Sequence, residues 1–152
     1  MRWHLWTLLL LALAGIGVSG YLTYAEFTNT ELLCLGDGNP CEVVQTSIYA
    51  RIGPIPVAVL GLAGYMFLAL VTVLQLKTSG ESRKALAGLS FGLALGAFLY
   101  SAYLSYLQRF VIGEICTWCV ASAAIVTLIF ALTVWELRAL TLSDSPPDAS
   151  DA

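Results

Sequence analysis

The reactive chemistry of this chain rests on four cysteines that fall into two pairs, Cys34 with Cys41 and Cys116 with Cys119. The second pair is a C-x-x-C within GEICTWCVASAAI, where it opens a long apolar stretch. A disulfide across C-x-x-C closes a small ring that is readily reduced, so such pairs are more often redox-active than structural. The start of a helix favours an anion, because unpaired N–H groups and the helix dipole point there. That position predicts a stabilised, reactive thiolate at Cys116. Cys119 lies one turn deeper, at the hydrocarbon boundary, where a thiol can meet a molecule dissolved in the membrane. The first pair brackets GDGNP, in which Gly36, Gly38 and Pro40 favour turns and mobility. A mobile pair can visit both an external protein and the fixed pair at the helix start, and together the two make an electron relay. Three other readings compete: two structural disulfides that staple loops, a four-thiolate zinc site, and plain buried thiols. The spacing from Cys34 to Cys41 is wider than a zinc knuckle. No metal is assigned.

Long apolar runs must position these sulfurs. Of 152 residues, 59% are hydrophobic and 11% charged, against about 25% charged in a soluble domain. The mean hydropathy is +0.82. The small net charge of −3 and the lack of a basic run give no footing for nucleic acid. Uncharged runs cover residues 5–25, 54–76, 85–107 and 115–135, and the last span is placed at about 115–137. Each is long enough to cross a bilayer core of about 30 Å as a helix, and a spanning segment must satisfy its own backbone. The reading is an all-α integral membrane protein, a four-transmembrane-helix bundle. Residues 1–140 form one catalytic domain, and 141–152 an acidic, disordered tail. Arg2 and VSG in the first run have the look of a signal peptide cut near Gly20, but the run continues through Tyr21 and Tyr24 and is read as a span.

Lys and Arg set the orientation. Arg2, Lys77, Arg83, Lys84 and Arg138 place both termini and the middle loop in the cytoplasm, against only Arg51 and Arg109 on the other side. All four cysteines are then extracytoplasmic, where disulfides persist. Trp3, Trp6 and Trp135 fall at the inner interface, and Tyr21, Tyr24, Tyr103, Tyr106 and Trp118 at the outer one. Gly88, Gly92 and Gly96 share a face of the third run and predict close helix packing. His4 lies at the cytoplasmic end and is not read as a catalyst. No ionisable group is expected between the ends of the spans, which argues against a transport pathway.

Taken together, the cysteine order, the segment CEVVQTSIYARIGPIPVAVLGLAGY after the loop pair, the S-x-Y that begins at Ser47, and the C-x-x-C opening the last span resemble the vitamin K epoxide reductase family, most closely its bacterial members. The resemblance covers nearly all of the chain except the tail. It implies a four-helix bundle around a quinone site of the ubiquinone or menaquinone type, in a bacterial cytoplasmic membrane. A short extracytoplasmic half-helix after the first span, about residues 42–51, would cap that site. It implies that Cys34 exchanges with a thioredoxin-like protein, that Cys41 passes electrons to Cys116, that Cys119 faces the quinone, and that Ser47 stands beside the relay. Many bacterial members carry a fused thioredoxin-like domain; here the partner is expected to be a separate protein. The vertebrate enzymes have an Asn on the second span and a Tyr four residues after the last cysteine. This chain has no Asn between Pro54 and Leu76 and has Ala123 at the other position, so quinone rather than epoxide reduction is implied. The other four-span disulfide-forming oxidase carries its C-x-x-C in the first outer loop, the reverse of the order here. A rival of another class is a non-catalytic membrane protein with two structural disulfides.

Overall fold

The structure, a computed structural model, describes residues 2–144. Four helices are long and apolar enough to cross a membrane: α1 (Trp3–Thr28), α3 (Val57–Lys77), α4 (Glu81–Tyr106), which continues in a π-helical turn over Leu107–Ile112, and α5 (Thr117–Ser143). The short α2 (Pro40–Thr46) follows the first loop. Each long helix is apolar nearly all round, as expected where one face meets protein and the other lipid. α1 packs on α3 and α5, and α4 packs on α5 and α3, so the four close into a ring. The all-α four-helix membrane bundle expected from the sequence is the architecture found.

Several boundaries move. The half-helix expected over 42–51 begins earlier, at Pro40, because proline suits the first turn, and it ends at Thr46. A 3-10 turn (Ile48–Ala50) and a two-residue antiparallel pair, β1 (Arg51–Ile52) with β2 (Ile55–Pro56), then lead into α3. Gly53, with φ of 62°, makes the turn between these strands. α5 runs to Ser143, six residues past the boundary at 137, so the first residues of the segment read as tail are helical. The rest of that segment, 145–152, lies outside the described residues.

The main core joins Leu5, Leu8 and Ala12 of α1 to Tyr65 and Leu68 of α3, Ala94 of α4, and Val126 and Ile129 of α5. The glycine stripe on α4 does not serve this core. A Cβ on Gly88, Gly92 or Gly96 would meet nothing within 4 Å, and all three are exposed. The packed face of α4 is instead Ala87, Ser90 and Ala94. Close approach occurs elsewhere, at Gly15 of α1, where an added Cβ would lie 2.3 Å from the Tyr65 ring.

At the end of the bundle where α1 begins and α5 ends, ionisable groups are drawn inside. Glu136 (1% exposed) lies 3.6 Å from His4 Nε2 and 3.5 Å from Arg83 Nη2. The expectation of no ionisable group between the ends of the spans is corrected here: Glu136 is buried within α5, and α4 begins at Glu81, so Arg83 is already helical and turns inward to meet it. The cluster ties α1, α4 and α5 together far in sequence and in space from the cysteines.

Candidate functional site

The C-x-x-C starts α5 in a specific way. Cys116 is the N-cap, and its Sγ accepts the backbone N–H of Cys119 at 3.3 Å. A sulfur in this role stands where Ser or Thr usually caps a helix, and the three-residue offset is that of a capping contact. Cys116 is fully buried, and its own N–H donates to Gln108 Oε1 at 3.2 Å. Gln108 belongs to the π-helical turn that widens the end of α4 and directs this side chain at the cap. Gly113, with φ of 77°, ends that turn and donates its N–H to the Gln108 carbonyl at 2.9 Å. Cys116 and Cys119 are both thiols, with Cys119 donating to Cys116 across 2.7 Å. That hydrogen bond, helped by the N–H groups of Cys119 and Trp118, holds the Cys116 thiol below its ordinary value, although burial works the other way. The lowered value expected at the helix start is present, and the neighbouring thiol is its first cause.

The loop pair lies over this cap. Cys34 and Cys41 are joined as a disulfide. Cys41, at the start of α2, is fully buried and packs with Val44 and Cys116, while Cys34, Cys119 and Trp118 lie around that cluster. Cys34 Sγ is 3.8 Å from Thr117 Oγ1. The loop read as mobile is tied at Leu33: its N–H donates to the Tyr21 hydroxyl at 3.2 Å, and its carbonyl accepts the Trp118 indole N–H at 2.7 Å. The rings of Tyr21 and Trp118 are 4.9 Å apart, so one aromatic pair fixes both backbone groups.

Beneath the sulfurs lies a cavity of about 400 Å³, within the usual range for small-molecule sites. Of the four cysteines only Cys119 lines it, and no charged side chain does. Its walls come from all four long helices, α2, the 3-10 turn, β1 and the π turn. Leu60, Gly64 and Ala97, exposed on the outer faces of α3 and α4, belong to the lining, so the cavity opens between those two helices. Few polar groups reach it. The Tyr65 hydroxyl lies 3.1 Å from the Ser122 carbonyl and 2.9 Å from its Oγ, and Ser122 is one turn below Cys119. The Gln45 amide Nε2 is 3.9 Å from Cys119 Sγ.

The structure thus brings all four predicted cysteines to one end of the bundle. Ser47 also lines the cavity, but its Oγ donates to the Val44 carbonyl at 2.7 Å and so turns to the α2 backbone. Tyr65, Ser122, Gln45 and Gln108 escaped the sequence reading. A polar residue at the rim of an apolar run was the available signal for Gln108, and a tyrosine deep within one for Tyr65.

Comparison with known proteins agrees with this arrangement. The chain is similar to the thiol-disulfide oxidoreductase LTO1 of Arabidopsis thaliana, with 29% identity over 131 residues; the match covers 79% of this chain and 33% of that protein. The chain therefore spans about a third of the length of this relative. A family model described as the vitamin K epoxide reductase family matches residues 6–134, from α1 almost to the end of α5, so the chain belongs to that family.

Proposed function

We propose that this protein is a membrane thiol:quinone oxidoreductase. It takes electrons from a separate thioredoxin-like protein through Cys34 and Cys41, passes them to Cys116 and Cys119, and delivers them to a quinone, in support of disulfide formation. The observation that carries this reading is the position of Cys119, whose sulfur is the one wall of the relay shared with an uncharged cavity open between two membrane helices. The family and the thiol-disulfide activity in the name of the Arabidopsis relative point the same way. A reading with two structural disulfides gives no account of a C-x-x-C pair with Cys119 on the wall of that cavity.

The residues fit a quinone. The cavity is large enough and apolar, and the Tyr65 hydroxyl and Gln45 amide supply neutral donors for carbonyl oxygens. When bound, a quinone supplies an acceptor of two electrons and two protons. The steps made by this chain are thiol–disulfide exchanges. The partner thiolate attacks Cys34, which is partly exposed where Cys41 is not, and Cys41 leaves as the thiolate. Cys41 then attacks Cys116 of a Cys116–Cys119 disulfide and releases Cys119. When the partner leaves as its own disulfide, Cys34 becomes a free thiolate and displaces Cys116 from Cys41. The loop disulfide re-forms, and the inner pair is left as two thiols. The inner disulfide closes again as two electrons and two protons leave by way of Cys119. Tyr65 and Gln45 hold the acceptor against Cys119, and Gln108 holds the cap that keeps Cys116 under Cys41. Ser47 supports the end of α2 above the cavity. In this reading the cysteine end faces the extracytoplasmic side of a bacterial membrane, and both termini face the cytoplasm.

The experiment is anaerobic incubation of purified protein with a reduced thioredoxin-like dithiol and a quinone, followed by quinol absorbance. Wild type should form one quinol per dithiol oxidised, and Cys116→Ala and Cys119→Ser should form none. Retention of wild-type rates by both variants sinks the proposal.

A further inference from the structure

Cys34 sits in an unusual frame for a partly buried disulfide. Its two neighbours, Leu33 and Leu35, are each 82% exposed, among the most exposed large apolar side chains of the described residues. Cys34 is turned toward Thr117 and partly buried, while the leucines on either side of it stand on the outer surface. Looseness does not explain this, since both backbone groups of Leu33 are bonded to Tyr21 and Trp118. The loop is also one-sided in charge. From Phe27 to Ile48 it contains Glu31, Asp37 and Glu42, all exposed, and no Lys or Arg. Apolar side chains held out to solvent beside a reactive bond, within a rim of one sign, have the anatomy of a contact site.

We propose that Leu33 and Leu35, rimmed by Glu31, Asp37 and Glu42, form the docking surface for the thiol protein that exchanges with Cys34. The occupant is a thioredoxin-like protein that presents an apolar strip next to its reactive cysteine and a basic edge around it. This rests on the relay reading and adds what selects the partner. The buried Cys41 leaves Cys34 as the sulfur open to attack, so a partner seated on both leucines has its thiolate over the right atom. The leucines give affinity by excluding water, and the acidic rim raises the encounter rate with a basic partner in a salt-dependent way.

The test compares two reductants on the full chain in quinone-containing vesicles. One is dithiothreitol, too small to use a docking surface. The other is a reduced thioredoxin-like protein with a net positive charge. In L33S/L35S, KM for the protein substrate should rise at least tenfold with kcat held, and the rate with dithiothreitol should stay at the wild-type level. In E31Q/D37Q/E42Q, kcat/KM for the protein should fall at low salt and lose its salt dependence. An unchanged KM in L33S/L35S overturns the proposal and leaves the leucines as contacts with the membrane surface. An equal loss with both reductants also overturns it, because the leucines would then serve the loop rather than the partner. If wild type oxidises dithiothreitol but not the protein, the docking surface falls and the relay stands. If it oxidises neither, the relay itself falls and the docking surface with it.

Discussion

Gly15 offers a way to disturb the cavity from outside it. An added Cβ would lie 2.3 Å from Tyr65 Cδ1 and Cε1 and 2.6 Å from Cζ, so the ring cannot remain where it is. Gly15→Ala must push Tyr65 away from Ser122 or separate α1 from α3. Overpacking of this kind costs about 1–3 kcal/mol, while alanine in place of glycine within a helix returns about 1 kcal/mol. The net effect on stability is a loss of roughly 0–2 kcal/mol. Gly17, on the same helix, has nothing within 4 Å of its would-be Cβ, so Gly17→Ala should only stabilise, by about 0.5–1 kcal/mol. Thermal unfolding in detergent should therefore move in opposite directions for the two variants. Quinone binding adds a second readout. If the Tyr65 hydroxyl donates to the ligand, its displacement costs about 1 kcal/mol, or about fivefold in Kd, readable by quenching of tryptophan fluorescence. Tyr65→Phe should give the same fivefold loss and, with its hydrogen bonds to Ser122 gone, a stability loss of about 1 kcal/mol. The decisive control is the double variant with Tyr65→Ala, in which the clash has no partner and Gly15→Ala should cost nothing. An equal cost of Gly15→Ala in both backgrounds would refute the reasoning.

Other perturbations test other parts of the molecule. Glu136→Leu leaves Arg83 and His4 in the bundle without their carboxylate, and breaking a buried pair costs about 3 kcal/mol or more; the triple variant His4→Leu, Arg83→Met, Glu136→Leu should unfold at a higher temperature than Glu136→Leu alone. The Cys116 titration should respond to Cys119, because the hydrogen bond from Cys119 is the first cause of its lowering. With the loop pair held as a disulfide, ultraviolet thiolate absorbance should place the Cys116 midpoint higher in Cys119→Ala than in wild type. The sign for stability follows: a folded value held below the unfolded one, about 8.5, adds stability that is full above that value and lost as pH falls through the lower folded one. In Cys119→Ala the loss should be smaller and complete at a higher pH, because only the folded value rises, and an unmoved midpoint would assign the lowering to the helix start instead.

The long elements were legible because lipid leaves the backbone little choice. An uncharged run the length of a bilayer core must satisfy its own hydrogen bonds, and the four runs became four helices with ends moved by a few residues. The position of the sulfurs was legible for a related reason, since each pair lay next to a run whose end had to be at a membrane surface. What could not be read was which side of each helix faces inward. Gly88, Gly92 and Gly96 form a stripe as good as any packing motif, yet they turn outward, because a hydropathy pattern that is apolar all round does not distinguish lipid from protein. The same blindness hid Tyr65, Ser122 and the inward turn of Arg83, whose roles depend on neighbours from distant parts of the chain. Gln108 was hidden by a local irregularity, since the π turn that aims it has no signature in residue types.

The C-x-x-C also shows why one short motif can carry both structure and chemistry. Its spacing lets Cys116 cap α5 by accepting the Cys119 N–H, and the same geometry puts the Cys119 sulfur within 2.7 Å of Cys116. A serine at 116 would cap equally well but could not exchange; a C-x-x-C in mid-helix could exchange but would lack the free N–H groups that favour a thiolate. The helix start is the one place where both conditions meet. Because this start lies at the end of a membrane helix, the first sulfur is buried under the loop disulfide and the second is turned to the cavity. On the proposed relay, the direction of transfer, from the buried Cys116 beneath Cys41 to the cavity-facing Cys119, is therefore set within one helical turn.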